Sequence, residues 1–276
     1  MSSLFPALVG ASWTTAALAQ VRSAPRPQLE RTNYAGRTVS LGGGIAAATG
    51  VLASTLAATQ DSRVRAAAGL AVATAGGLGA LDDLTEQPQD SGTKGLKGHL
   101  RALAQGRVTT GAAKLLGITA ASAVAGCLIA SARGGSARGR VLDAVTSAGL
   151  IAGTANLVNL LDLRPGRALK VTAAAAAPLA MAAGAAGGTA AGVLGTSLAA
   201  APSDLAETTM LGDTGANALG AALGVALATH RSRELRLGVL ALTVAATLAS
   251  ERISFSRVIA ENTVLHRIDR FGVRAP

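Results

Sequence analysis

Long uncharged apolar stretches alternate along the chain with short charged ones. Between consecutive charged residues the apolar blocks run 1–21, 38–60, 66–81, 115–132, 144–161, 171–203, 214–230 and 237–250. Crossing a hydrocarbon core takes roughly 20 apolar residues, with a range of about 17–25. Most blocks reach that length, and flanking Arg and Lys side chains extend to the interface. The 237–250 block is short and is the weakest candidate. Eight such blocks leave no polar surface for a soluble protein. The pattern therefore predicts an all-α, polytopic transmembrane bundle over 1–250. A basic tail over 251–276 follows, either an amphipathic surface helix or a flexible segment.

Two blocks need separate treatment. Ala17-Leu18-Ala19 has the look of a small-residue cleavage site, but no basic residue precedes Arg22, so the first block reads as a span and not as a cleaved signal. The 171–203 block would make a helix of about 50 Å, too long for one core of about 30 Å. Pro178 and the stretch from Gly184 to Gly188 are expected to break it into a hairpin, which gives about nine spans. With nine, 17 Lys and Arg fall on one side and 8 on the other. The positive-inside rule then predicts an outside amino terminus and a cytoplasmic carboxyl terminus.

Composition agrees with a membrane protein. Half of the 276 residues are hydrophobic, mean hydropathy is +0.42, and charged residues make up 14%, against about 25% in soluble domains. Disorder is excluded by the apolar content, and a disulfide framework by the single Cys127. The net charge of +10 is dispersed over short loops with almost no aromatics beside it, so it reads as topology and anionic-lipid contact, not nucleic-acid binding. No internal repeat supports an inverted-repeat transporter.

Some polar residues go beyond what spanning requires. Asp82-Asp83 follow the third span, Asn156, Asn159 and Asp162 end the fifth, and Asp213 precedes the eighth. The nine-span topology puts all three groups on the cytoplasmic face. A solvated helix end would explain the Asp pair, helix-packing hydrogen bonds the two Asn, and a turn or cap Asp213. Functionally, paired carboxylates hold Mg²⁺ or take a proton from a phosphate. Asn156, Asn159 and Asp162, three apart, share a helical face and are costly against lipid. The 84–114 loop adds Lys94, Lys97, Arg101, Arg107 and Lys114, ordinary topological charge or neutralisers of a diphosphate. Phosphoryl transfer needs this combination of acids, cations and a base. The three His form no ligand cluster.

Four segments together carry a resemblance: Asn33–Gly44 (NYAGRTVSLGGG), Asp82–Leu100 (DDLTEQPQDSGTKGLKGHL), Asn156–Asp162 (NLVNLLD) and Met210–Gly220 (MLGDTGANALG). In composition and order they resemble the polyprenyl-phosphate N-acetylhexosamine-1-phosphate transferase family, which includes the enzyme making the first lipid-linked peptidoglycan precursor. The resemblance implies Mg²⁺-dependent transfer of a sugar-1-phosphate from a nucleotide sugar, UDP-linked in the family, to a polyprenyl phosphate at the cytoplasmic face of the cell membrane. By position, Asp82 and Asp83 match the family's acidic pair, implicated in deprotonating or positioning the lipid phosphate. Asp213 matches its Mg²⁺ residue, and Asn156, Asn159 and Asp162 match its nucleotide-diphosphate site. Lys94, Lys97 and Arg101 fall where the family places basic residues. The implied partners are the lipid, the nucleotide sugar and the membrane, with a homodimer as a further candidate. Two departures stand out. The family's Gly-Leu-Asp-Gly is replaced by Leu163-Arg164-Pro165-Gly166, and its late His cluster is missing from Glu251–Arg257. The alternative they favour is a non-catalytic relative, a scaffold or lipid-phosphate binder.

Overall fold

Blocks rich in Ala, Leu and Gly have one way to satisfy their backbone out of water, the α-helix. The computed structural model, which describes residues 3–85 and 110–274, is accordingly dominated by helices. They are α1 (Leu4–Ser23), α2 (Gly42–Ala57), α3 (Ser62–Thr85), α4 (Thr110–Arg133), α5 (Ala137–Leu161), α6 (Arg167–Leu179), α7 (Gly184–Leu205), α8 (Gly212–Thr229) and α9 (Arg233–Ser250). Two short helices follow, α10 (Phe255–Glu261) and α11 (Thr263–Arg270). The 171–203 block breaks between α6 and α7, with Pro178 in the last turn of α6 and Gly184 at φ +72°. The two helices pack on each other.

Among the described residues, α1, α3, α4 and α5 are long and apolar enough to cross a bilayer, and α9 with α10 passes only as a pair bent by 93°. These helices mark a membrane protein. The other apolar blocks also form helices, but shorter or less apolar ones, and α8 explains why. All its residues except Asp213 and Thr229 are buried, against α2, α3, α5 and α7. A helix sheathed by other helices meets no lipid. Its small side chains serve close approach instead. A Cβ on Gly220 would come within 2.6 Å of the Ala155 Cα. Beside it, Thr154 Oγ1 donates to the Gly220 carbonyl at 2.8 Å.

The all-helical expectation needs one correction. A two-stranded antiparallel hairpin, β1 (Glu30–Thr32) and β2 (Thr38–Ser40), sits between α1 and α2, paired Arg31 to Val39. Ser40 continues into the segment before α8, accepting from Met210 N at 2.9 Å and donating its own N–H to Thr208 O at 3.2 Å. The hairpin thus holds the chain that leads into α8. A hydrophobicity profile misses three-residue strands of polar residues such as Glu30-Arg31-Thr32.

Candidate functional site

A helix leaves its first amides without partners and carries a partial positive charge there. At α8 these amides face carboxylates from three other elements. Asp204 at the end of α7 lies beside Leu211, and Asp162, which caps α5, lies beside Gly212. Asp213 N–H and Thr214 N–H donate to Asp83 at 3.0 and 2.9 Å, and Thr214 Oγ1 donates to the same carboxylate at 2.6 Å. Gly212 sits at φ +56°, and a Cβ there would lie 2.9 Å from both Asp83 oxygens. Only glycine meets both demands.

Helix packing decides where each member of the acidic pair points. Val72, Ala75, Gly76 and Gly79 are buried along one face of α3, and Asp83 continues that face at i+4. Gly79 packs against the Asp213–Thr214 backbone, where a Cβ would lie 2.8 Å from Thr214 N. Asp82 is one residue further round and continues the Leu78 face, which packs on Gly117 of α4. In register, Lys114 of α4 meets Asp82, with Nζ 2.5 Å from Oδ2. The same ammonium also pairs with Asp213 Oδ2, and the two carboxylates approach within hydrogen-bonding range of each other.

Asp82, Asp83, Asp162, Asp204 and Asp213 therefore surround the start of α8, with Lys114 as the cation in contact with two of them. The crowding shows at Asp162. Burial, followed by the negative charges of Asp204, Asp213 and Asp83, pushes its carboxyl well above the usual carboxylate range. Arg31 reaches in from β1 and donates to the Asp83 carbonyl at 2.7 Å.

Asn156 and Asn159 are half-buried on α5, on the face beside the Ile151–Thr154–Val158 seam that meets α8, and they do not join the Asp82–Lys114–Asp213 contacts. Lys94, Lys97 and Arg101 lie outside the described residues. Sequence reasoning missed Asp204 and Glu207. Glu207 is buried, takes φ +54°, and is held by Asn33 Nδ2 at 2.6 Å and Arg37 at 3.2 Å. The available signal was three acids, Asp204, Glu207 and Asp213, in a 204–213 stretch with no basic residue. Lys114 was read only as one charge of a basic loop.

Next to the cluster, a pocket of about 190 Å³ is lined by Tyr34, Arg164, Arg167, His266, Asp269 and Arg270, among others. The Arg164 guanidinium stacks 3.8 Å over the Tyr34 ring, a cation–π contact.

Among the described residues no three His, Cys, Asp or Glu side chains form a group that would hold a metal by themselves. Mg²⁺ does not require that, because it is commonly held by one or two carboxylates together with substrate phosphates. Asp82 Oδ2 and Asp213 Oδ2 already converge on one cationic group, the Lys114 ammonium. The donor set is hard oxygen. In donor chemistry these residues fit a hard divalent cation. No protein-family model and no curated protein matches the chain.

Proposed function

We propose that the protein is a phosphoglycosyltransferase. It moves a sugar-1-phosphate from a nucleotide sugar, UDP-linked by the resemblance, to a polyprenyl phosphate in cell-envelope polymer synthesis. The observation that carries this reading is the meeting of Asp82 with Asp213, 131 positions apart, on the Lys114 ammonium. The reading adopts the nine-span topology, with the cluster facing the cytoplasm.

Asp213 and Asp82 would hold Mg²⁺, which supplies charge neutralisation on the donor diphosphate. An oxygen of the lipid phosphate attacks the sugar-bearing phosphorus. A new P–O bond forms as the bridging P–O bond breaks, and the nucleoside monophosphate leaves with the bond's electrons. Asp83, occupied by three donors, acts by positioning the α8 amides. Asp82, beside Lys114, Asp213 and Thr110, is the member of the pair not committed to the α8 amides, and it would orient the lipid phosphate beside the cation. Asn156 and Asn159 are assigned to the nucleotide end, and Lys94, Lys97 and Arg101 to the diphosphate.

The test uses purified protein with Mg²⁺, polyprenyl phosphate and a panel of nucleotide sugars, read as nucleoside monophosphate release. Release by the parent, and its loss by about 100-fold or more in Asp213→Asn, is the expected result, on the scale of removing one electrostatic stabiliser. No release from any donor would overturn catalysis.

The same Lys114 contact favours a second reading, a non-catalytic scaffold or lipid-phosphate binder, because an ammonium already satisfies both carboxylates. On that reading Asp213→Asn leaves cellular function intact, and a lost phenotype in a stable mutant removes it.

A further inference from the structure

The carboxyl-terminal tail docks the wrong way round for a soluble protein. Its α11 helix turns its polar side toward the bundle. Asp269 accepts two hydrogen bonds from Arg167, at 2.7 and 2.9 Å. Lys170 Nζ donates to the carbonyls of Ile268 and Asp269 at 3.0 and 2.7 Å. Beyond the helix, Arg274 N–H donates to Leu205 O at 3.0 Å. The apolar residues lie on the other side. Val264, Leu265, Ile268 and Phe271, spaced i, i+1, i+4 and i+7, are 65%, 41%, 56% and 78% exposed. Ile253 and Val258 before and within α10 are exposed as well. An amphipathic helix in water buries its apolar stripe. This one spends its polar groups on the protein and leaves the stripe open.

Two further observations say what covers it. The first is direction. α10 leaves α9 at 93°, so with α9 as the last span of the nine-span topology the chain turns there to run across the membrane surface. The second is charge. Arg252, Arg257, Arg267, Arg270 and Arg274 lie among these apolar residues, and the acidic Glu261 and Asp269 are already paired, with Arg257 and Arg167. Apolar insertion flanked by Arg is how interfacial helices hold anionic lipid. Docking on Arg167, Lys170 and Leu205 puts the tail at the same end of the bundle as Asp204 and the start of α8.

We propose that α10 and α11 lie in the headgroup–acyl boundary of the leaflet beside the acidic cluster, apolar side inserted, bound to anionic phospholipid. The tail then anchors the start of α6, through Arg167 and Lys170, at a set depth below the lipid surface. The inference rests on the membrane reading of the bundle but not on catalysis.

The experiment uses the full chain with Cys127→Ala, carrying Ile268→Cys or Phe271→Cys, or Leu116→Cys as a control on the exposed side of α4. Each is labelled with an environment-sensitive fluorophore and reconstituted in phosphatidylcholine vesicles with or without phosphatidylglycerol. The proposal expects positions 268 and 271 to be quenched by lipid nitroxides placed near the headgroup end of the acyl chain, more than by nitroxides at the chain end. It also expects that quenching to weaken without phosphatidylglycerol. Quenching of 268 and 271 by aqueous iodide, while 116 responds to lipid nitroxide, overturns the proposal and leaves the membrane reading standing. Cross-linking between copies at 271 without lipid quenching assigns the face to a second chain and also overturns it. If 116 fails to respond to lipid, the membrane reading itself falls.

Discussion

Replacing Asp83 with Asn separates a positioning role from a purely chemical one. The carboxylate accepts from Asp213 N at 3.0 Å, Thr214 N at 2.9 Å and Thr214 Oγ1 at 2.6 Å, using both oxygens. An amide has one acceptor oxygen, and its NH₂ would face a backbone N–H. At least one donor is orphaned, at a cost of about 1–3 kcal/mol. Losing the negative charge at the α8 amino terminus costs about 0.3–1 kcal/mol more. The total is about 2–3 kcal/mol, since the site is half-buried and keeps some contact with water. At about 2–4 °C per kcal/mol for a chain of this size, Tm should fall by roughly 5–10 °C. Thermal unfolding in detergent, followed by far-ultraviolet circular dichroism, measures it. Asp82→Asn, which keeps an acceptor oxygen for Lys114 and relieves the crowding with Asp213, should shift Tm by less than about 2 °C. The reasoning fails if Asp83→Asn melts with the parent, or if Asp82→Asn is the more destabilised of the two.

Other outcomes follow from the same geometry. Lys114→Met leaves Asp82 and Asp213 facing each other without their cation. It should cost about 1–3 kcal/mol, less than a fully buried pair, and added Mg²⁺ should restore Tm in a thermal-shift titration. No response to Mg²⁺ would remove the cation site. Asp162 titrates above its ordinary value of 3.8 in the folded protein. The folded state therefore holds a proton that the unfolded chain has released, and that stability is complete below about 3.8 and is lost as pH rises through the raised value. Tm of the metal-free protein should decline as pH rises from about 3.8 through the raised value, and Asp162→Asn should flatten the slope. Gly79→Ala places a Cβ 2.8 Å from Thr214 N. Overpacking of that kind costs about 1–3 kcal/mol, and activity should fall together with Tm, although residue 79 touches no substrate.

Much of the architecture was legible in the pattern of residues. Charges stay out of a hydrocarbon core, so the apolar blocks marked where helices form, and Pro178 with Gly184 marked the break between α6 and α7. The same exclusion pushed Asp82, Asp83, Asp162 and Asp213 to helix ends, where the structure brings them together around α8. The polar hairpin at Glu30–Ser40 was not legible, because its strands are too short to show a period.

Sequence alone could not distribute roles within the cluster. Neighbouring residues on a helix point about 100° apart, so whether Asp82 or Asp83 meets the α8 amides depends on which helix each face of α3 touches. Tertiary packing decided this through Gly79 against α8 and Leu78 against Gly117 of α4. It also supplied Lys114 as the shared cation and set Asp204 on the Gly166 amide. The direction of the tail was settled the same way. Its amphipathic spacing is written in residues 264–271, but the contacts of Arg167 and Lys170 with Ile268 and Asp269 show that the polar side faces inward. Periodicity encodes which residues share a face. Which neighbour that face meets is a property of the assembled bundle.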